Sequence, residues 1–318
     1  MTHTEQGVDD MTKHLEASIR AGKSGGVEQE IRMLKQATAA DPMQPSAWFN
    51  LAMAYKSKGA RVEATGAMDR AIFYLLATTE PGACEPPPGV TKAMMEQMMV
   101  DFVAKGGELL EEAAHGAPSD LEVKFSLAGR LIELKDRVGG AVPPITRALV
   151  HYVYAEVLRK SEEVERALEQ YELAAAAARP EACDALALMI IPEMHARLAV
   201  KKHAAKSDAQ RQGMKRAADA ARTGLAEARP FAPSSSDPQL LEFEMTYVRM
   251  VNNLVMVSVD DKGALQLDGP AFEELVRHAK EAQPYARKAA KRGGRAGAQA
   301  QQLLPTLESI VGAAISMS

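Results

Sequence analysis

The sequence predicts an all-α chain built as stacked helical hairpins, and three observations carry that expectation. The 318 residues include 56 alanines and 17 methionines but only 5% aromatic residues. Ala, Met, Leu, Glu, Lys, Gln and Arg favour helices, while the β-branched and aromatic residues that favour strands are sparse. Apolar residues recur at spacings of three and four, the period of one helix face. The first quarter of the chain can also be laid on itself at a shift of 34 residues. His14 then falls on Trp48, Ala17 on Leu51, Ala21 on Tyr55, Gly25 on Gly59, Leu34 on Met68 and Ala37 on Ala71. With 47% hydrophobic and 25% charged residues the chain can bury a core, which excludes wholesale disorder.

In chain order, each copy of the repeat reads as helix, glycine turn, helix. The second copy, PSAWFNLAMAYKSKGARVEATGAMDRAI, places Trp48, Leu51, Ala52 and Tyr55 on one face of its first helix. Gly59 sits at the turn, and Ala64, Met68 and Ala71 form the matching stripe on the second helix, with small Ala52 and Ala64 allowing close approach. The segment CEPPPG, Cys84 to Gly89, cannot continue a helix and marks a loop. Leu121 to Leu134 reads as a lone first helix, because Gly139, Gly140, Pro143 and Pro144 break the second helix it would need. His151 to Pro180 is a third hairpin, with Tyr154, Ala155 and Leu158 facing Ala167, Tyr171 and Ala174, and with Lys160, Ser161 and Glu162 replacing the turn glycine. PFAPSSSDPQ is a linker whose Asp237 and Pro238 are an N-cap and N1 proline, starting a helix that runs to about Val257. After the loop DDKGALQLDGP, Phe272 to Lys291 and Ala298 to Ala314 form the last two helices, separated by RGGRAG.

The pattern Trp48, Leu51, Ala52, Tyr55, Gly59, Ala64, Met68 and Ala71 closely resembles the tetratricopeptide repeat, with Ala52 for the motif glycine, Met68 for its aromatic and the closing proline delayed to Pro81. Asp41 and Pro42 resemble the junction between such repeats. The resemblance implies an α-α superhelix of hairpins, irregular in the C-terminal half. The loop and linker punctuation divides the chain into residues 1–82, tandem repeats; 90–229, an irregular array with a further repeat near 148–181; and 237–318, a C-terminal helical segment. In that family the first helices of successive repeats line a groove for a partner segment. Mapped here, that face is Leu15, Ile19, Phe49, Asn50, Met53 and Lys56, with Tyr152, Glu156 and Arg159 from the third hairpin. Asn50 resembles an asparagine that in chaperone-binding members hydrogen-bonds a peptide backbone or a terminal carboxylate. Leu15 and Ile19 stand where those members need a lysine and an asparagine, so a mainly apolar groove is expected.

Little else in the sequence carries chemistry. Cys84 and Cys183 lie 99 residues apart, with neither a disulfide framework nor zinc spacing. The polar start MTHTEQGVDD lacks a basic region and an apolar core, so a cytoplasmic protein is expected, and no apolar run approaches the roughly 18 residues that span a bilayer. In AGKSGG, Ala17 stands where a phosphate loop needs its first glycine. The seven histidines show no metal-binding pair. No nucleophile elbow or catalytic cysteine context occurs, so neither catalysis nor a cofactor or metal is expected. Met94, Met95, Met98 and Met99 share a helix face that reads as core, or as an adaptable groove extended by Phe102.

Net charge is −4, with residues 1–196 at 20 Lys+Arg minus 29 Asp+Glu, or −9, and residues 197–318 at 18 minus 13, or +5. Lys201 to Arg229 and Arg277 to Arg295 are basic but lack interleaved aromatic residues. A non-catalytic scaffold or adaptor binding a protein or peptide is the leading expectation. A helical nucleic-acid-associated protein using the basic helices, or a regulatory subunit of an enzyme complex, are the alternatives.

Overall fold

The computed structural model describes residues 26–79, 91–114, 121–178, 185–260, 264–265, 267 and 269–316. Leu15, Ile19, the AGKSG stretch, the CEPPPG loop and both cysteines lie outside the described residues. Twelve α-helices account for most of what is described, and the β-structure is a single bridge between Val259 and Leu265. The chain divides into two compact units, Met1–Glu162 and Glu163–Ser318. That boundary falls inside the segment 90–229, which the repeat pattern had kept together.

The first unit contains α1 (Val27–Ala40), α2 (Pro45–Lys58), α3 (Arg61–Thr78), α4 (Lys92–Ala114), α5 (Leu121–Val138) and α6 (Pro144–Lys160). Pro45 opens α2 at its first turn, where a missing N–H costs nothing. Gly59 closes it in the left-handed region, φ 79°, donating to the Lys56 carbonyl at 2.9 Å while the Ala60 N–H reaches Tyr55 O at 3.0 Å. Each helix packs on the next, and α3 and α4 also pack on α5 and α6 respectively. Contact at steps of one and two helices is the construction of stacked hairpins. Ala52, Ala64, Met68 and Ala71 are fully buried, as the register requires, among Leu34, Ile72, Leu75, Leu110, Leu127 and Leu131.

Two expectations need correction in this unit. Leu121 to Leu134 is not a lone first helix: α5 pairs with α4, the long methionine-bearing helix before it, and holds the second-helix position against α3. Gly106 makes that pairing possible, since a Cβ there would stand 2.6 Å from Leu131 Cδ2. Within the methionine cluster, Met95, Met98 and Met99 pack on the core, while Met94 is exposed.

The second unit contains α7 (Val164–Ala178), α8 (Ala185–Lys202), α9 (Asp208–Ala228), α10 (Pro238–Ser258), α11 (Gly269–Arg292) and α12 (Gly294–Ser316). Of the two helices expected to form the third hairpin, α6 falls in the first unit and α7 in the second. Glu162 lies in the left-handed region at φ 60°, where glycine would be usual. Consecutive helices again pack together, and α8 and α12 both pack on α10. Gly213 brings α9 against α8, for a Cβ there would lie 2.5 Å from Ala199 Cβ and 3.2 Å from its Cα. Asp237 caps α10 as expected, accepting from the N–H groups of Gln239 and Leu240 at 2.8 and 3.0 Å. RGGRAG is not a loop: Gly293 at φ 73° and Gly294 at φ 67° reverse the chain between α11 and α12.

Candidate functional site

In the first unit the expected groove residues sit on α2 and α6, and α4, which the repeat pattern left out of the groove, packs beside α6 and sends side chains to α2. Phe49 stacks on Phe102 of α4 with ring centroids 4.4 Å apart and planes at 17°. Half-buried Met53 packs on the core, and Asn50 is half-buried. Lys56 reaches Glu108 at 3.2 Å and Glu112 at 3.0 Å. Burial opposes the Lys56 charge, but its hydrogen bonds to these carboxylates prevail and raise its pKa. Hydrogen bonding from Lys105, with a further bond from Lys56, holds the Glu108 carboxyl below its usual range. On α6, Tyr152 packs on the core, and buried Glu156 is held by Arg159 through contacts of 3.2 and 2.6 Å. The aromatic and ionic groups assigned to this face thus already have partners within the unit.

The second unit holds a cleft of about 370 Å³ lined by α8, α10 and α12, again alternate helices of the stack. Glu193 and Arg197 come from α8, Arg249, Asn252 and Asn253 from α10, and Gln299 from α12, around the apolar floor of Ala196, Met250 and Leu303. Arg249 is committed, lying 3.6 Å from Glu193 and donating to Thr246 Oγ1 at 2.8 Å. Among the described residues, the side chains of Arg197, Asn252, Asn253 and Gln299 have no hydrogen-bond partner. Three half-buried carboxamides and an exposed guanidinium therefore face the cleft with donors and acceptors unspent. None of these residues entered the sequence-derived groove. The available signal was the adjacent pair Asn252 and Asn253 within the apolar run MVNNLVMV.

A polar cluster lies between α9, α10 and α11. The His278 side chain is fully buried, its Nδ1 2.9 Å from the Tyr247 hydroxyl and its Nε2 3.3 Å from Asp219 Oδ1. The Tyr247 hydroxyl also donates to Glu281 at 3.0 Å. Burial pushes the Tyr247 pKa up and the His278 pKa down. Asp219, Glu274 and His278 are close enough to resemble a cation site. Lys215 already occupies that role, at 3.6 Å from Asp219 and 3.1 Å from Glu274, with Arg222 and Arg277 nearby. The cluster closes its own charge and offers a metal no vacant carboxylate.

The same pairing takes up several cations of the two basic stretches. Lys202 meets Glu165 at 2.7 Å, Arg211 meets Asp208, Lys288 grips buried Glu244 at 2.7 and 2.8 Å, and Arg287 meets Glu308 at 2.9 Å. Cations already held by carboxylates are less available to phosphates, whereas among the described residues Lys280, Lys291, Arg292 and Arg295 have no ion pair. No helix among the described residues is long and apolar enough to cross a membrane.

No protein-family model matches the chain, and no curated protein matches it. Among solved structures, a fragment of MamA from Desulfovibrio magneticus RS-1, running from residue 41 to its end, is 14% identical with a TM-score of 0.38, covering 70% of this chain and 97% of that one. A MamA RS-1 double mutant gives 15% identity and a TM-score of 0.39, covering 71% and 98%. The TPR domain of P58(IPK) gives 13% identity and a TM-score of 0.25, covering 96% and 99%. At TM-scores below 0.5 these similarities decide nothing about this chain, and its stacked-hairpin architecture rests on the helix packing itself.

Proposed function

We propose that this protein is a non-catalytic scaffold that holds a segment of a partner protein along the alternate-helix faces of its hairpins. The observation that carries the reading is the α8/α10/α12 cleft, where unspent carboxamides of Asn252, Asn253 and Gln299 surround an apolar floor. Carboxamides supply both donors and acceptors, the complement of a peptide main chain, and exposed Arg197 suits a carboxylate on the bound segment. The face of Phe49, Asn50, Met53 and Lys56, with Tyr152, Glu156 and Arg159, is the second part of the proposal, and Leu15 and Ile19 belong to it by register. There Phe49 and Lys56 would have to exchange their contacts with α4 for contacts with the partner. No cofactor enters this reading.

The experiment is recovery of co-purifying protein from the native source with wild-type, Asn252→Ala/Asn253→Ala and Phe49→Ala/Met53→Glu chains, each verified as folded by circular dichroism. Loss of the same partner from either double variant supports the reading. Equal recovery by all three contradicts it.

A further inference from the structure

A second cleft, of about 340 Å³, opens in the first unit between α1, α2 and α3. Lys35 comes from α1, Trp48 and Tyr55 from α2, and Glu63, Gly66 and Arg70 from α3. The guanidinium of Arg70 lies over the Trp48 ring, 4.7 Å from its centroid, and the Lys35 ammonium lies 5.7 Å from the Tyr55 centroid. Both distances are within the range of attraction between a cation and a ring face. The Trp48 ring is itself pinned, its Nε1–H donating to the Pro42 carbonyl at 2.7 Å. Among the described residues neither cation has a carboxylate within ion-pair distance. Two cations, each steadied by a ring, thus stand at one cleft against the single lining carboxylate of Glu63, while the neighbouring Asp69 carboxylate, which also feels Arg70, is ion-paired with Arg130.

Gly66 also lines the cleft. It sits within α3 at ordinary helical backbone geometry, where glycine is a weaker helix former than alanine. At Gly106 and Gly213 a Cβ would collide with a neighbouring helix, so packing requires glycine there. At Gly66 no atom lies within 4 Å of where a Cβ would stand, so packing makes no such demand. What the missing side chain leaves open is the cleft.

We propose that the cleft between α1 and α3 binds an organic anion, a carboxylate or phosphate monoester carried on a compact apolar group. Arg70 and Lys35 would take the anionic oxygens, and the walls of Trp48, Tyr55 and Leu51 would cover the apolar group. With two cations and the single acid Glu63 in the lining, one negative charge neutralises the site. The site is independent of the partner-binding reading above and stands or falls separately.

Trp48 is the only tryptophan in the chain, so its emission, excited selectively, reports on this cleft alone. Phenylacetate, phenyl phosphate and the neutral control benzyl alcohol are titrated against the full-length protein. The expected result is a saturable change in Trp48 emission with both anions, while benzyl alcohol requires at least about tenfold more for the same effect, the discrimination of one charge-assisted hydrogen bond. The tighter anion identifies the head group. Arg70→Gln should weaken binding about tenfold on the same basis, and Gly66→Leu, which fills the cleft, should abolish it. Should Gly66→Leu perturb helix content, Lys35→Gln replaces it with the same expected weakening. Absence of saturation with either anion, an equal response to benzyl alcohol, or wild-type binding by the variants overturns the proposal.

Discussion

The two units build their helix seams from different materials. In the first, the space between helices is filled mainly by Leu, Ile, Val, Met and Ala, continuous from Ile31 to Val157, with Asp69–Arg130 as an ion pair across the α3/α5 seam, Glu156–Arg159 within one helix, and others such as Lys58 with Glu28 at the surface. In the second, the seams between α9, α10 and α11 carry charge: Lys288 on Glu244, and Asp219, His278 and Tyr247 with the surrounding arginines. Apolar seams forgive the loss of a single polar partner, because water replaces it at the rim. Polar seams do not, because the abandoned group is left in a low-dielectric interior.

Breaking the polar seam is the largest effect expected. Glu244 is only 3% exposed, and Lys288 is its hydrogen-bonding cation. Lys288→Met strands the carboxylate and should destabilise the second unit by about 3 kcal/mol or more. The double variant Glu244→Met/Lys288→Met should recover most of that loss. Chemical denaturation of the three proteins checks it, and a single variant as stable as wild type would erase the contrast between the units. Gly213→Ala should cost about 1–3 kcal/mol, since the facing Ala199 backbone cannot yield to the new methyl. Gly66→Ala, facing open space in the first unit, should instead stabilise by up to about 1 kcal/mol. Thermal melts of the two variants test opposite signs for the same substitution.

Acid should also weaken the second unit. Burial holds His195 and His278 below the ordinary imidazole pKa of 6.5, with Arg216 adding to the effect at His195 and Asp219 opposing it at His278. Each is therefore preferentially neutral when folded, and the unfolded chain binds more protons. The stability they confer is present above pH 6.5 and is lost progressively as pH falls below it. Melts recorded between about pH 7.5 and 5.5 should show the second unit weakening, and His278→Gln should flatten that dependence. An unchanged slope would remove His278 from the cause.

The same contrast explains how much of the molecule was legible in the sequence. In α2 and α3, small and apolar residues recur at fixed offsets, so Ala52, Ala64, Met68 and Ala71 announce both the hairpin and its seam. In the second unit the seam residues are Lys215, Arg222, Arg277 and Lys288, which a sequence presents as two basic stretches. Their partners, Asp219, Glu244, Glu274 and Glu281, lie in part on other helices and become visible only when those helices are brought together. The pairing of α4 with α5 depended on Gly106, whose meaning is a distance to Leu131 rather than a pattern. The α8/α10/α12 cleft was hidden for the same reason, since Arg197, Asn253 and Gln299 come from three helices far apart in the chain. The α2 face, by contrast, could be read from its spacing, but its shielding by Phe102, Glu108 and Glu112 required the placement of α4.

Whether the unspent carboxamides of the second unit hold a partner segment is tested most directly by quantitative recovery of co-purifying protein with Asn252→Ala/Asn253→Ala against wild type, at matched and verified folding. Loss of two backbone-directed hydrogen-bonding groups should reduce recovery of a specific partner by at least about fivefold, roughly 1 kcal/mol of binding. Recovery unchanged by the substitution, with Phe49→Ala/Met53→Glu likewise silent, would contradict it.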